Sequence, residues 1–259
     1  MKNRIILTNV ISRFGRFGTV LAALLLLGIA ASSSSGQVLP PSSLPYGYSY
    51  EEWSAKWWHW LMGRSTNHLE LVGSPGICEG PASRVRFLTA FTLGTTTQTS
   101  HVIIPAETPL FFLIGGGAAD NTACPLSAFT SYTADQLVAL AVGFYSGGIS
   151  QITCTIDGVP VAGLGDPFNT VYYVVSPPLS YTTAEEGNWV AVFEGEPCLP
   201  GGLTVYPLEA VGVYLMLSPF SPGKHTIEYV DVGPAGTSHT IFDLTVTRDQ
   251  GGDHDGGGR

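Results

Sequence analysis

Charged side chains are scarce in this chain, and basic ones are scarcest. Asp, Glu, Lys and Arg make up 12% of its 259 residues, with 11 Lys+Arg against 20 Asp+Glu. Four of the basic residues, Lys2, Arg4, Arg13 and Arg16, stand at the extreme N-terminus; without them, seven basic residues face twenty acidic ones, a formal charge of −13. So acidic a chain, with no basic patch, argues against nucleic acid and against anionic membrane surfaces, both of which need clustered positive charge. Long apolar runs are missing beyond Ala31, so no later segment supplies the roughly 20 apolar residues of a spanning helix. Close cysteine pairs are missing too. The nearest two of the four cysteines are 30 residues apart, which is unlike the C-x-x-C spacing of zinc sites. There is no G-x-S-x-G, no H-E-x-x-H, no P-loop and no G-x-G-x-x-G, so no catalytic residue, metal or cofactor is predicted.

What the N-terminus does have is the order of a secretory signal peptide: basic residues, the apolar run Thr19 to Ala31, then small residues (SSSSG). Residues 1–36 are read as this leader, with an uncleaved anchor as the alternative. Residues 37–47, rich in Pro and Ser, are read as a linker, 48–247 as one β-rich domain, and 248–259, without apolar content, as a disordered tail. In an exported chain, an even number of cysteines reads as two disulfides. Of the three possible pairings of Cys78, Cys124, Cys154 and Cys198, sequence proximity favours Cys78–Cys124 with Cys154–Cys198.

The densest feature is Tyr48 to Trp60, YSYEEWSAKWWHW, which holds four of the five tryptophans. Ser49 and Glu52 make an S-x-x-E capping box, and Gly63 is a natural stop, so the spacing predicts a helix. At 100° per residue, Trp53, Trp57 and Trp60 share one face, expected to be core. Glu52, Lys56 and His59 share the opposite face, with Trp58 on the flank. Thr133 and Gln136 repeat the capping-box spacing and predict a second helix over 134–144. The remainder reads as short strands separated by Gly- and Pro-rich turns. They include Val171 to Val175 and Trp189 to Phe193, and an apolar run, Leu110 to Ile114, closed by a turn at Gly115 to Gly117. Val211 to Leu217 is apolar on both faces, as a central strand is. The pattern predicts a mainly β fold: a single β-sandwich or jelly-roll-like domain with two short helices packed against it.

The aromatic helix, the Cys78-Glu79-Gly80 turn, VIIPAETPLFFLI, IDGVPV and YLMLSPFSPGKHTIEY together resemble a family of exported bacterial proteins of unknown function. That family has an "EWSAxWWxW" helix after its signal peptide and an "LSPGKHTI" hairpin near its C-terminus. The resemblance spans about Tyr46 to Thr247 and implies export and a mostly β fold. It brings no catalytic residues. The chain departs from the pattern at Ser100, His101 and Val102, where a cysteine is expected.

The candidate ligand-binding residues are therefore Trp58, His59 and Glu52, through an exposed indole, an imidazole and a carboxylate on one helix. His225 is read as structural or exposed. The expected function is that of an exported, non-catalytic binding or envelope-associated protein. Its partner would be an unknown small molecule, a glycan or an envelope component. Two alternatives are a secreted hydrolase, with glycans as one substrate class, using loop carboxylates (Asp157, Asp166, Glu185, Glu186, Glu194, Glu196), and a structural surface component.

Overall fold

In the computed structural model, the structure describes residues 36–68, 71–76, 78–90, 97–193, 195, 197–234 and 236–248. The leader expected over 1–36 lies outside the described residues except for Gly36, as does the tail expected over 248–259 except for Arg248. Among the described residues, no helix is long and apolar enough to cross a membrane.

The strand that organises the fold is β10, Thr204–Leu217, the segment that is apolar on both faces. Leu208, Ala210, Tyr214 and Met216 enter one core, and Val211, Val213, Leu215 and Leu217 enter the other. A strand buried on both sides must have a layer on each. Along one edge β10 pairs antiparallel with β5, Leu110–Asp120. Along the other it pairs in succession with β1 (Val38–Leu39), β8 (Tyr173–Val175) and β9 (Leu179–Thr182). The short strands β2 (Val72–Gly73) and β3 (Arg86–Leu88) complete a seven-stranded sheet beyond β5. The second sheet has five strands in the order β4 (Thr97–Pro105), β12 (Gly236–Thr247), β11 (Gly223–Gly233), β6 (Gln151–Ile156) and β7 (Val159–Pro160). The described residues thus form a β-sandwich of one domain. On the outer side of the seven-stranded sheet lies α1, Tyr50–Met62. The inner core is shared by the five-stranded sheet and α2, Ala134–Gly148.

Both helices start where the capping boxes put them. Ser49 accepts from the Glu52 N–H while the Ser49 N–H donates to Glu52 Oε2, and Thr133 and Gln136 do the same. A third helix, α3 (Trp189–Phe193), replaces a predicted strand. Its apolar sequence resembles a strand, but Asn188 Oδ1 accepts from the N–H groups of Val190 and Ala191 and so caps a helix.

Four further expectations are corrected. Gly115 to Gly117 is the interior of β5, with no turn there. A Cβ at Gly117 would stand 3.1 Å from the Ala141 carbonyl oxygen, so the missing side chain lets α2 lie on the strand. Helix α2 also runs on past its predicted end at Phe144, through Gly147 and Gly148, where an added Cβ would meet nothing within 4 Å. The Pro/Ser stretch 37–47 is folded onto the domain: Val38–Leu39 pairs with β10, and the Tyr50 hydroxyl donates to the Leu39 carbonyl.

The disulfide pairing is the fourth correction. One bond, Cys124–Cys198, joins the loop after β5 to the loop after α3 across 74 residues, with Cα atoms 5.7 Å apart. Cys78 and Cys154 are free thiols. Cys154 points from β6 into the inner core, where burial pushes its thiol up to about 12. Proximity in sequence misleads because neighbouring strands of a sandwich come from distant segments.

Candidate functional site

The aromatic helix is locked before it displays anything. Trp53 is fully buried and Trp57 is 3% exposed. Each buried indole still needs a partner for its N–H, and each finds a different segment. Trp53 donates to the Pro45 carbonyl at 2.9 Å, Trp57 to the Leu88 carbonyl at 3.1 Å, and Trp58 to the Tyr214 hydroxyl at 2.6 Å. These bonds tie α1 to the preceding turn, to β3 and to β10. Trp60 is half-buried, packed on Phe87 at 5.6 Å between ring centroids and covered by the Arg64 guanidinium at 4.6 Å. A Cβ at Gly73 would collide with this indole, which explains a glycine in β2.

Trp58 therefore leaves the candidate ligand set. It is 8% exposed, against the expectation of an open flank. The helical wheel places it off the tryptophan stripe, but Tyr214 of β10 lies against it and accepts its N–H. Glu52 and His59 stay together at the surface. With Tyr48, Ala55, Lys56, Pro177, Leu179 and Ser180 they line an open bowl of about 360 Å³.

Its near wall is the polar side of α1, and its far wall is the start of β9. His59 Nδ1–H donates to the Ser180 carbonyl at 2.7 Å, which ties the walls together and leaves Nε2 as the free ring nitrogen. The Lys56 ammonium lies 4.3 Å from the centroid of the Tyr48 ring, a cation–π contact. One oxygen of Glu52 is held by the capping box, and the other is open to the bowl. The bowl so combines an apolar floor of Tyr48, Pro177 and Leu179 with an ammonium, a carboxylate and an imidazole at its rim. Sequence reasoning missed Tyr48 and Ser180. Tyr48 shares the helix motif and was readable as its N-terminal flank. Ser180 comes from a strand too short to carry a periodic signal.

The loop acids are differently occupied. Asp157 accepts from His225 Nδ1 at 2.8 Å and from the Thr226 N–H, while His225 Nε2 contacts the Ser221 carbonyl. Both ring nitrogens of His225 thus face oxygen acceptors, and the histidine pins the β11 hairpin to the β6–β7 turn. Asp166 accepts from Asn169 and from the Phe168 N–H, and these bonds hold its carboxyl below the usual range. Both acids stabilise turns. Glu194 and Glu196 lie outside the described residues. Among the described residues, no group of three or more His, Cys, Asp or Glu could hold a metal ion.

No family model matches the chain. No curated protein matches it either. Among solved structures, it matches a chain described as "Structure of PbICP-C in complex with falcipain-2", at 14% identity and a TM-score of 0.24, over 63% of this chain and 98% of that one. A likeness this slight has no bearing on function.

Proposed function

We propose that the protein is exported and works outside the cytoplasm as a non-catalytic binding module, taking a glycan-type ligand of the cell envelope in the α1–β9 bowl. The observation that carries this reading is the bowl itself, where Glu52, Lys56 and His59 stand around the floor of Tyr48, Pro177 and Leu179. Sugar rings present an apolar face ringed by hydroxyls, and a flat apolar floor with donors and acceptors at its rim complements that pattern. The site also sits on a helix whose opposite side is fixed by three indole hydrogen bonds, so little is lost in ordering it on binding. Export is supported by the basic-then-apolar leader and by the Cys124–Cys198 disulfide, a bond that persists in oxidising compartments.

A glycan array probed with the mature chain, beginning near Gln37, tests the binding. Selective capture of one glycan class is expected, with the signal lost in a Lys56→Ala/His59→Ala variant. Capture that survives the double substitution would move the ligand elsewhere. N-terminal sequencing tests export: the mature chain should begin between Ala31 and Val38, and an intact Met1 in the extracytoplasmic fraction would overturn it.

A further inference from the structure

The inner faces of β11 and β12 are apolar for most of their length and then turn polar. Ile227 and Tyr229 point into the core, and the next inward position on β11 is Asp231. On β12, Phe242, Leu244 and Val246 are core, while Thr240 and Ser238 occupy the inward positions toward the strand's start. Asp231 and Ser238 are cross-strand partners. An acid at a core-facing position is unusual, because burying a carboxylate is costly unless something compensates it. At this end the two sheets part. A cleft of about 290 Å³ opens between β5 and the β11–β12 pair, closed on a third side by Gly148 and Ile149 at the end of α2.

The cleft has a definite chemistry. Asp231 supplies a carboxylate to which the Ser238 hydroxyl donates, and desolvation outweighs that bond in setting its proton affinity, so the acid is held above its ordinary value. Thr89 adds a second hydroxyl. Trp57 and Tyr229 contribute aromatic surface, and Leu113, Ile114 and Ile149 contribute aliphatic surface. No lysine, arginine or histidine is among the described residues that line it. The carboxylate therefore has hydroxyl company but no cation. A ligand that brings the missing positive charge gains a charge-assisted bond to Asp231, and the aromatic walls favour the same charge. The acidic balance of the whole chain draws cations toward it.

We infer that this inter-sheet cleft is a second binding site, separate from the bowl on α1, and that it takes a small organic ammonium ion. The ammonium group hydrogen-bonds to Asp231 and to the hydroxyls of Ser238 and Thr89, and a short hydrocarbon body lies against Ile114, Ile149 and the Trp57 ring. The volume suits a body of a few carbons.

Calorimetric titration of the full mature chain with n-butylammonium chloride, and in parallel with 1-butanol, tests the inference. The ammonium probe is expected to bind at pH 8 and the alcohol at least tenfold more weakly. Asp231→Asn should weaken the ammonium at least tenfold while glycan capture by the bowl is unchanged. Equal binding of the two probes, unchanged ammonium affinity in the Asp231→Asn chain, or no ammonium binding at all would overturn it. Should the Asp231→Asn chain not fold, the wild-type pH profile decides. Affinity for the ammonium must fall as the pH is lowered and Asp231 takes up a proton, and a flat profile between pH 8 and pH 4 would equally overturn the inference.

Discussion

The two faces of the central sheet are built by opposite means. The face under α1 is aromatic and directional. Tyr50, Trp53, Trp57, Trp58, Phe87, Phe111 and Tyr214 meet there, most of them edge to face, and the tryptophan N–H groups and the Tyr50 hydroxyl are all hydrogen-bonded. The face under the second sheet is chiefly aliphatic: Leu110, Ile114, Val211, Val213, Leu215, Ile227 and Leu244 fill it. Aliphatic packing sets volume, whereas a buried indole sets volume, ring angle and the position of one acceptor. The aromatic face thus specifies where α1 sits, and with it the bowl. The aliphatic face specifies only that two sheets meet, and it is on this side that polar groups intrude, at Asp231 and at Glu209. Glu209 is 1% exposed, on the inward-facing positions of β10, and its Oε1 has no hydrogen-bond partner.

The sharpest way to break the aromatic face is Trp57→Ala. It should cost about 3–5 kcal/mol through transfer and cavity terms, a large part of the 5–15 kcal/mol typical of a domain. Urea unfolding measures it, and a variant as stable as wild type would mean that α1 is not anchored as described.

A finer comparison pairs Trp58→Phe with Leu215→Met. The first keeps an aromatic body but removes the donor to Tyr214, and should cost about 1–3 kcal/mol. The second nearly conserves volume on the aliphatic face and should cost less than about 1.5 kcal/mol. If the two midpoints shift equally, directionality does not distinguish the faces.

Glu209 tests the polar intrusion through pH. Burial, with the Asp135 carboxylate adding to it, raises its carboxyl from 4.5 to about 7. The folded state therefore holds this proton more tightly than the unfolded state does. The associated stability is complete below about pH 4.5 and is lost as pH rises through about 7. Glu209→Gln, which imitates the protonated acid, should melt above wild type at pH 8 by an amount that vanishes toward pH 4, read from thermal melts across the range. A gap independent of pH would show that the carboxyl does not titrate there. The smallest effect is expected at the rim of the bowl. His59→Ala removes one half-exposed hydrogen bond and should cost about 0.5–1 kcal/mol, so a larger loss in chemical denaturation would make His59 part of the anchor.

Local signals made much of this architecture legible. Both capping boxes are contacts between residues three apart, so the helix starts were readable from Ser49/Glu52 and Thr133/Gln136. Val211 to Leu217 announced a central strand because a segment apolar on both faces has to be covered on both. The same local reading failed wherever a residue's environment is assembled from afar. Trp58 became core through Tyr214, 156 positions away, and His59 acquired its partner from Ser180, 121 positions away. Cys124 found Cys198 across a loop that proximity would not have chosen. Gly115 to Gly117 spelled a turn, and it is pairing with Val211 to Val213 of β10 that made these residues the middle of a strand. Periodicity and capping are energies of neighbours along the chain, and the sequence states them directly. A bowl, a cleft or a disulfide depends on which distant segments the sheets bring together, and that was decided by the pairing of strands and the packing of their faces.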